Sequence, residues 1–381
     1  MLCTDSRRAP IRNEVVVEWF RASALPGSAV STAADYARFG LSGDTPEPWE
    51  DGARTDNRPG TYEWWYFDAH LDDGSKLVVV FLNKDITRPQ SGLEPMVRIS
   101  LDLQDGRRFD RVATFQSGEY HASSDGCDVQ IGENRFSGDL HTYRITASVD
   151  EVTVDVTLVG DIGPWRPGTG HMLFGRDRAR EFAWLPAVPQ GHAEVQYRIG
   201  DQTQTTTGVG YHDHNWGNVP LPQVVHHWYW ARGQAGPYSV IASFITSHRR
   251  YGYSEVPVFM LARNGRVIAD DASRVRFETE QPYRDDATGK PVFALTRYVY
   301  EVDLDRYVVT FTRQRDLASE LMIDSVQGLA RLAAKAAGFD GAYLRFAGEL
   351  RVEHYRRGEL VHEFRNEAIW ELMYFGRARR P

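Results

Sequence analysis

Tyr62-Glu63-Trp64-Trp65-Tyr66-Phe67-Asp68 sets seven aromatic or acidic residues in a row, flanked by Thr61 on one side and Ala69-His70-Leu71 on the other. Aromatic residues of this density favour extended backbone, where large side chains fit a pleated, half-buried surface. As a strand the segment sends Glu63, Trp65 and Phe67 to one face and Trp64, Tyr66 and Asp68 to the other. Each face then carries aromatics and one acid. A core strand explains part of this; a cavity wall explains the rest, because a wide aromatic surface beside a carboxylate suits an apolar ligand with one polar handle.

Outward from this segment the pattern repeats. Runs rich in Val, Ile, Tyr, Phe, Trp and Thr are separated every 8–12 residues by turn chemistry such as DDGS, QDGR, GENR, RNGR and YRRGEL. Such spacing means antiparallel sheet, closed as a sandwich or a barrel. About six strands fall in each half, so the chain is expected to be all-β, with two β-barrels or sandwiches in tandem. We place an N-terminal arm at residues 1–58, a first β-unit at 59–220 and a second at 221–381, with the junction near Asn218 to Gln223, where NVPLPQ supplies two prolines. Within the arm, NEVVVEWF reads as a strand and SAVSTAADYARF as a short helix. One long helix is expected at 316–338: Asp316 can cap it, Leu317, Leu321, Val326, Leu329, Leu332 and Ala336 give it an apolar side, and Gly338 can stop it.

The composition narrows the function. The 381 residues carry 44 Lys plus Arg against 52 Asp plus Glu, a formal net charge of -8, which argues against a protein built to grip nucleic acid. Two cysteines, Cys3 and Cys127, cannot form a disulfide framework and suggest a reducing, cytoplasmic setting. No stretch approaches a transmembrane segment, and the start of the chain has no secretory apolar run. Phosphate-binding loops, dinucleotide fingerprints and nucleophile elbows are missing too, which leaves acid–base or shape-driven work on an apolar molecule.

Three further segments carry candidate chemistry. In Gly208-Val209-Gly210-Tyr211-His212-Asp213-His214-Asn215-Trp216-Gly217-Asn218, alternation puts Tyr211, Asp213 and Asn215 on one face and His212, His214 and Trp216 on the other. Buried polar groups at this density need partners, so the run anchors a hydrogen-bond network or lines a site. Trp228, Tyr229 and Trp230 follow in His226-His227-Trp228-Tyr229-Trp230-Ala231-Arg232, which reads as an interface or ligand wall. In the last strand Asn366 shares a face with Phe364, Ala368, Trp370, Leu372 and Tyr374, and needs either a backbone partner or a ligand carbonyl. His212, His214, His226 and His227 lie close enough in sequence to raise a metal site. No cysteine joins them and His226 and His227 point to opposite faces, so we expect structural histidines and no metal.

YEWWYFDAHL at 62–71, GVGYHDHNWGN at 208–218 and WYWARG at 228–233 resemble the paired signatures of the hydroxyneurosporene synthase (carotenoid 1,2-hydratase) family, which also includes a prenyl-flavonoid hydratase and lipocalin-like Diels–Alderases. The resemblance covers roughly residues 60–375. It implies two tandem lipocalin-like antiparallel β-barrels, a ligand cavity between or within them, and no metal or organic cofactor. It also implies a hydrophobic small-molecule substrate, a polyene, polyketide or isoprenoid.

Three activities follow as expectations. A cyclase or isomerase of the Diels–Alder type would fold a flexible polyene into one reactive conformer between aromatic walls, with a hydrogen bond to a substrate carbonyl from Asn366, Tyr211 or a histidine such as His212. In that version no single residue is indispensable. A hydratase would use Asp213 as the acid, Glu63 to orient water, and Trp65, Trp216 and Trp230 to stabilise a cation. A carrier would bind its ligand through the same surfaces and return it unchanged. The first is favoured, with Asp213, Tyr211, His212 and Glu63 as candidate catalytic residues and Trp64, Trp65, Trp216, Trp228, Tyr229, Trp230 and Asn366 as candidate binding residues.

Overall fold

The alternation of apolar and polar side chains in Val152–Gly160 is resolved as one buried and one outward face in the computed structural model, which describes residues 26–86, 88–325 and 340–376. All-β architecture is the outcome. Two antiparallel sheets account for the described strands: one of thirteen strands, Gly27–Ala29 through Gln202–Gly217, and one of nine, Val225–Ala235 through Glu359–Tyr374. Turn chemistry fixes the hairpins. Asn264 and Gly265, at φ 51° and 77°, form the two-residue turn joining Glu255–Arg263 to Arg266–Ala269, a pairing of left-handed residues whose twist matches the strands.

Each sheet rolls around its own apolar core, the first built on Phe67, Val79, Ile99 and Ile145 and the second on Tyr298, Phe311, Leu350 and Trp370. A third core joins them. Tyr62, Phe182, Trp184 and Tyr211 of the first sheet pack with Ile241, Ile245, Val258 and Met260 of the second. Across this contact Arg232 of the second sheet pairs with Asp68 of the first, Nε lying 3.1 Å from Oδ2, with both side chains buried. A single helical turn, Leu221–Val224, separates the last strand of the first sheet from the first strand of the second.

The segment preceding Tyr62 is part of the first sheet's packing. Gly27–Ala29 pairs with His171–Phe174, and the helix Ala33–Phe39 begins on a Thr32–Asp35 capping box and ends at Gly40, φ 70°. The short 3-10 helix Pro48–Asp51 buries both Glu50 and Asp51. The NEVVVEWF strand expectation lies outside the described residues.

The long helix needs correction. Asp316 to Leu321 belong to the strand Asp305–Leu321, which pairs with Ala342–Arg356, and Met322–Ser325 is a 3-10 turn. The remainder of the expected helix, from 326 to 338, lies outside the described residues. Two register shifts, between Arg313/Arg315 and Asp316/Ala318, explain the misreading. Each bulge inserts a residue, breaks the two-residue alternation and leaves apolar spacing that imitates a helix.

Candidate active site

Gln202–Gly217 pairs with Tyr62–Leu71, and the register sorts both aromatic segments. Tyr211 stands opposite Asp68, Asp213 opposite Tyr66 and Asn215 opposite Trp64; in between, His212 faces Phe67 and His214 faces Trp65. Opposed residues share a face in an antiparallel pair. One face therefore looks toward the second sheet and the other into the interior of the first.

The inter-sheet face forms a cavity. A pocket of about 110 Å³ is walled by Trp64, Trp184, Trp228 and Trp230, with Asp213 and Glu371 as its carboxyl groups. Adjoining it, and sharing Trp64, Tyr66, Trp228, Trp230 and Glu371, is a cavity of about 950 Å³ that reaches Arg232 and Arg345. The larger falls in the range that holds small-molecule ligands. Asp213 is buried and fully engaged: Tyr211 donates to Oδ2 at 2.6 Å, Trp184 Nε1 to the same oxygen at 2.8 Å, and Asn215 Nδ2 to Oδ1 at 2.7 Å. Burial pushes its carboxyl up from 3.8 to about 6, against the pull of those donors. Glu371, on the facing strand, accepts from Trp228 Nε1 at 3.1 Å, and burial raises its carboxyl as well.

The raised Asp213 value makes a substrate-free prediction. Its carboxyl binds protons more tightly in the folded than in the unfolded chain, so its contribution is fully present below pH 3.8 and is lost as pH rises through about 6. A rise from 3.8 to about 6 corresponds to about 3 kcal/mol. Urea unfolding of wild type and D213N should show the wild type losing about that much relative to the variant between pH 4 and 7. A pH-independent difference would contradict the assignment.

The opposite face carries a buried polar network. Asp51 accepts from Tyr143 Oη at 2.5 Å and lies 3.2 Å from His212 Nε2, while His212 Nδ1 donates to the Tyr66 carbonyl at 2.9 Å. His214 lies between two carboxylates, Nε2 at 2.8 Å from Glu63 and Nδ1 at 3.5 Å from Asp51, and Trp65 stacks on it at 4.5 Å. Burial alone would raise the Asp51 carboxyl; His212, His214 and the Tyr143 hydroxyl hold it below its ordinary value. Glu63 further accepts from the backbone N–H groups of Arg54 and Thr55. Asp51, Cys127 and His212 place ligand-type atoms within 4.8 Å of one another, but Cys127 points its thiol at the Phe136 carbonyl, and burial holds that thiol protonated.

The sequence-predicted residues thus divide. Asp213, Trp64, Trp228 and Trp230 meet at the inter-sheet cavity, with Tyr211 directly behind Asp213. Glu63, Trp65 and His212 face the interior of the first sheet. Trp216 borders a separate pocket of about 210 Å³ beside Phe39, Trp49 and His171, and donates to Glu181 at 3.2 Å. Tyr229 lies in the core of the second sheet. Asn366 is exposed and satisfied by backbone, its amide donating to the Gln234 carbonyl at 2.9 Å. His226 and His227 sit together elsewhere, with Nδ1 atoms 2.7 Å apart. Sequence reasoning missed Trp184, Glu371 and Asp51. A charge in EAIWELMYF, a strand apolar on both faces, was the available signal for Glu371.

A family model described as Diels-Alderase-like matches residues 57–290, more than half of the chain and including all three aromatic segments. The chain belongs to the Diels-Alderase-like family. Membership agrees with the resemblance carried by residues 62–71 and 208–218. Within it, the chain is 24% identical over 323 residues to a quinolone epoxide rearrangement protein of Emericella nidulans, covering 79% of this chain and 84% of that protein. It is also 24% identical over 216 residues to an acyclic carotenoid 1,2-hydratase of Thiocapsa roseopersicina, covering 53% of this chain and 52% of that one. The crystal structure of CghA with Sch210972 superposes with a TM-score of 0.59 at 14% identity, over 88% of this chain and 97% of that one, a likeness of fold. These enzymatic relatives agree with the cyclase or isomerase reading of the sequence. Among the described residues no helix is long and apolar enough to cross a membrane.

Proposed function

We propose that the chain is a cofactor-independent cyclase or isomerase of secondary metabolism, acting on an elongated apolar polyene or polyketide held between its two sheets. One observation carries the reading: Asp213, gripped by Tyr211, Trp184 and Asn215, stands in a tryptophan-walled pocket with its carboxyl raised to about 6. At neutral pH such a group is mostly an anion in an apolar surround. It favours a transition state that develops positive charge on carbon, and the faces of Trp64, Trp228 and Trp230 favour it further. Confinement in the larger cavity supplies the orientation that a flexible chain lacks in water.

Hydration of an isoprenoid or carotenoid double bond is the second reading, supported by the likeness to an acyclic carotenoid hydratase. The same cation would then be captured by water. Glu63 does not serve that water, since it faces away from the cavity on the other side of its strand. A third role, carriage of the ligand without change, needs no raised carboxyl.

Mass spectrometry separates the three. The protein is incubated with a quinolone epoxide, an acyclic polyene bearing a diene and an activated alkene, and an acyclic carotenoid, each in oxygen-labelled water. Isomerisation yields a product of unchanged mass and altered retention; hydration adds one labelled water; a carrier returns the probe. Added water on every converted probe would overturn the cyclase reading. Within the cyclase reading, Trp230→Ala removes one cavity wall, worth about 0.5–2 kcal/mol. It should slow turnover by about 2- to 30-fold or shift the product stereoisomer ratio, measured by chiral chromatography.

A further inference from the structure

The cavity holds two carboxyl groups, and they are not equivalent. Asp213 sits on the first sheet with three donors, each of which stabilises its anion: Tyr211, Trp184 and Asn215. Glu371 sits on the second sheet, on the same face as Ile369 and Met373, with the Trp228 indole and the Tyr343 hydroxyl as its donors. Both line the small pocket. The remaining charged neighbour of Glu371 is Arg345, on the adjacent strand Ala342–Arg356. Resting on the function proposed above, we propose that Glu371 is the proton donor of this cavity and Asp213 its anionic partner, so that the substrate carries a protonatable oxygen, an epoxide or conjugated carbonyl, lodged between them.

Several features favour that division of labour. Two carboxyls facing one apolar space repel as anions, and Asp213, with three hydrogen-bond donors aimed at it against two on Glu371, is the one held as the anion. Burial is the largest influence raising Glu371, and the charge of Asp213 raises it further, while Trp228, Tyr343 and Arg345 act the other way. Tyr66, with its hydroxyl on Asp68 and its own ionisation far out of reach, adds no competing acid near neutrality.

The step balances on these residues alone. For an epoxide, the O–H bond of Glu371 breaks and its proton joins the epoxide oxygen. The C–O bond breaks with its electron pair remaining on oxygen, which leaves a hydroxyl group and a carbocation facing Asp213 and the Trp64 and Trp230 rings. A neighbouring C–C or C–H bond then supplies the electron pair that quenches the cation. Where C–H breaks, its proton passes to Asp213; where a C–C bond migrates, the cation left at its origin is neutralised by loss of a proton from an adjacent C–H bond or from the new hydroxyl group, again to Asp213. In either case the proton returns to Glu371 through solvent. The substrate is isomerised, with no net oxidation or hydration.

Infrared difference spectroscopy on the full chain reads the resting state without substrate. A buried, protonated carboxyl band should persist in the wild type at neutral pH, vanish in E371Q, and titrate at lower pH in D213N, where the opposing charge is gone. A band that survives in E371Q overturns the inference. With the epoxide probe, E371Q should lower kcat by about 100-fold or more while KM stays within about threefold. Gln keeps the acceptor for Trp228, so the variant should fold as the wild type does, checked by its thermal unfolding. Wild type active and E371Q equally active overturns this inference alone; wild type inactive on all three probes overturns the proposed function itself.

Discussion

Asp213→Asn should reduce turnover of a converted substrate by about 100- to 1,000-fold, the usual effect of deleting one group that stabilises transition-state charge. The substitution keeps the shape of the side chain but removes the charge that Tyr211, Trp184 and Asn215 hold in place. Binding should be little altered, because the walls are tryptophan and none of them moves. Tryptophan fluorescence quenching by the bound probe gives the affinity, and steady-state kinetics gives the rate. A loss confined to affinity, with kcat unchanged, would show that Asp213 only shapes the pocket. A purely pericyclic reaction, driven by confinement and without charge at carbon, would also leave the rate nearly intact. The sequence alone suggested that a cyclase of this kind has no indispensable residue; the buried, raised carboxyl changes that expectation.

Asp51→Ala should cost about 3–5 kcal/mol of stability, the range for removing one partner of a buried charged network. Its carboxylate is the acceptor shared by Tyr143 and His212, and it closes the line from His212 through His214 to Glu63. Without it the imidazoles face a void that water fills poorly, and His212 cannot turn away because its Nδ1 is tied to the Tyr66 carbonyl. Denaturant midpoints at constant m measure the loss. A shift below about 1 kcal/mol would mean that the network is dispensable. Because His212 and His214 alternate with Asp213 along one strand, the same network also fixes the direction in which Asp213 points.

Much of this was legible in the residues. Turn chemistry and alternation point to two antiparallel units, and the two-residue period alone sorts Trp64 from Trp65 and Asp213 from His212. Alternation cannot say which face is which: Trp65 and Trp216 look like Trp64 in sequence, yet one packs on His214 and the other beside a different pocket. Asp51 was hidden for another reason. It lies in PEPWEDGAR, whose prolines and glycine read as a connecting arm, and its partner His212 is 161 residues away. Long-range pairing of that kind leaves no local trace. Glu371 was passed over because the sequence reading followed the other row of its strand, Phe364 to Tyr374 through Asn366, whereas the second sheet turns the row of Ile369, Glu371 and Met373 onto the first. The misread helix at Asp316 follows from two bulges that erase the strand period.

The central claim is that chemistry occurs between the sheets. A crystal structure of the protein with a bound, slowly converted probe tests it most directly. The account predicts the ligand enclosed by Trp64, Trp184, Trp228 and Trp230, with its polar atom between Asp213 and Glu371. Ligand bound instead in the pocket beside Phe39, Trp49 and Trp216, with the inter-sheet cavity left to solvent, would contradict it.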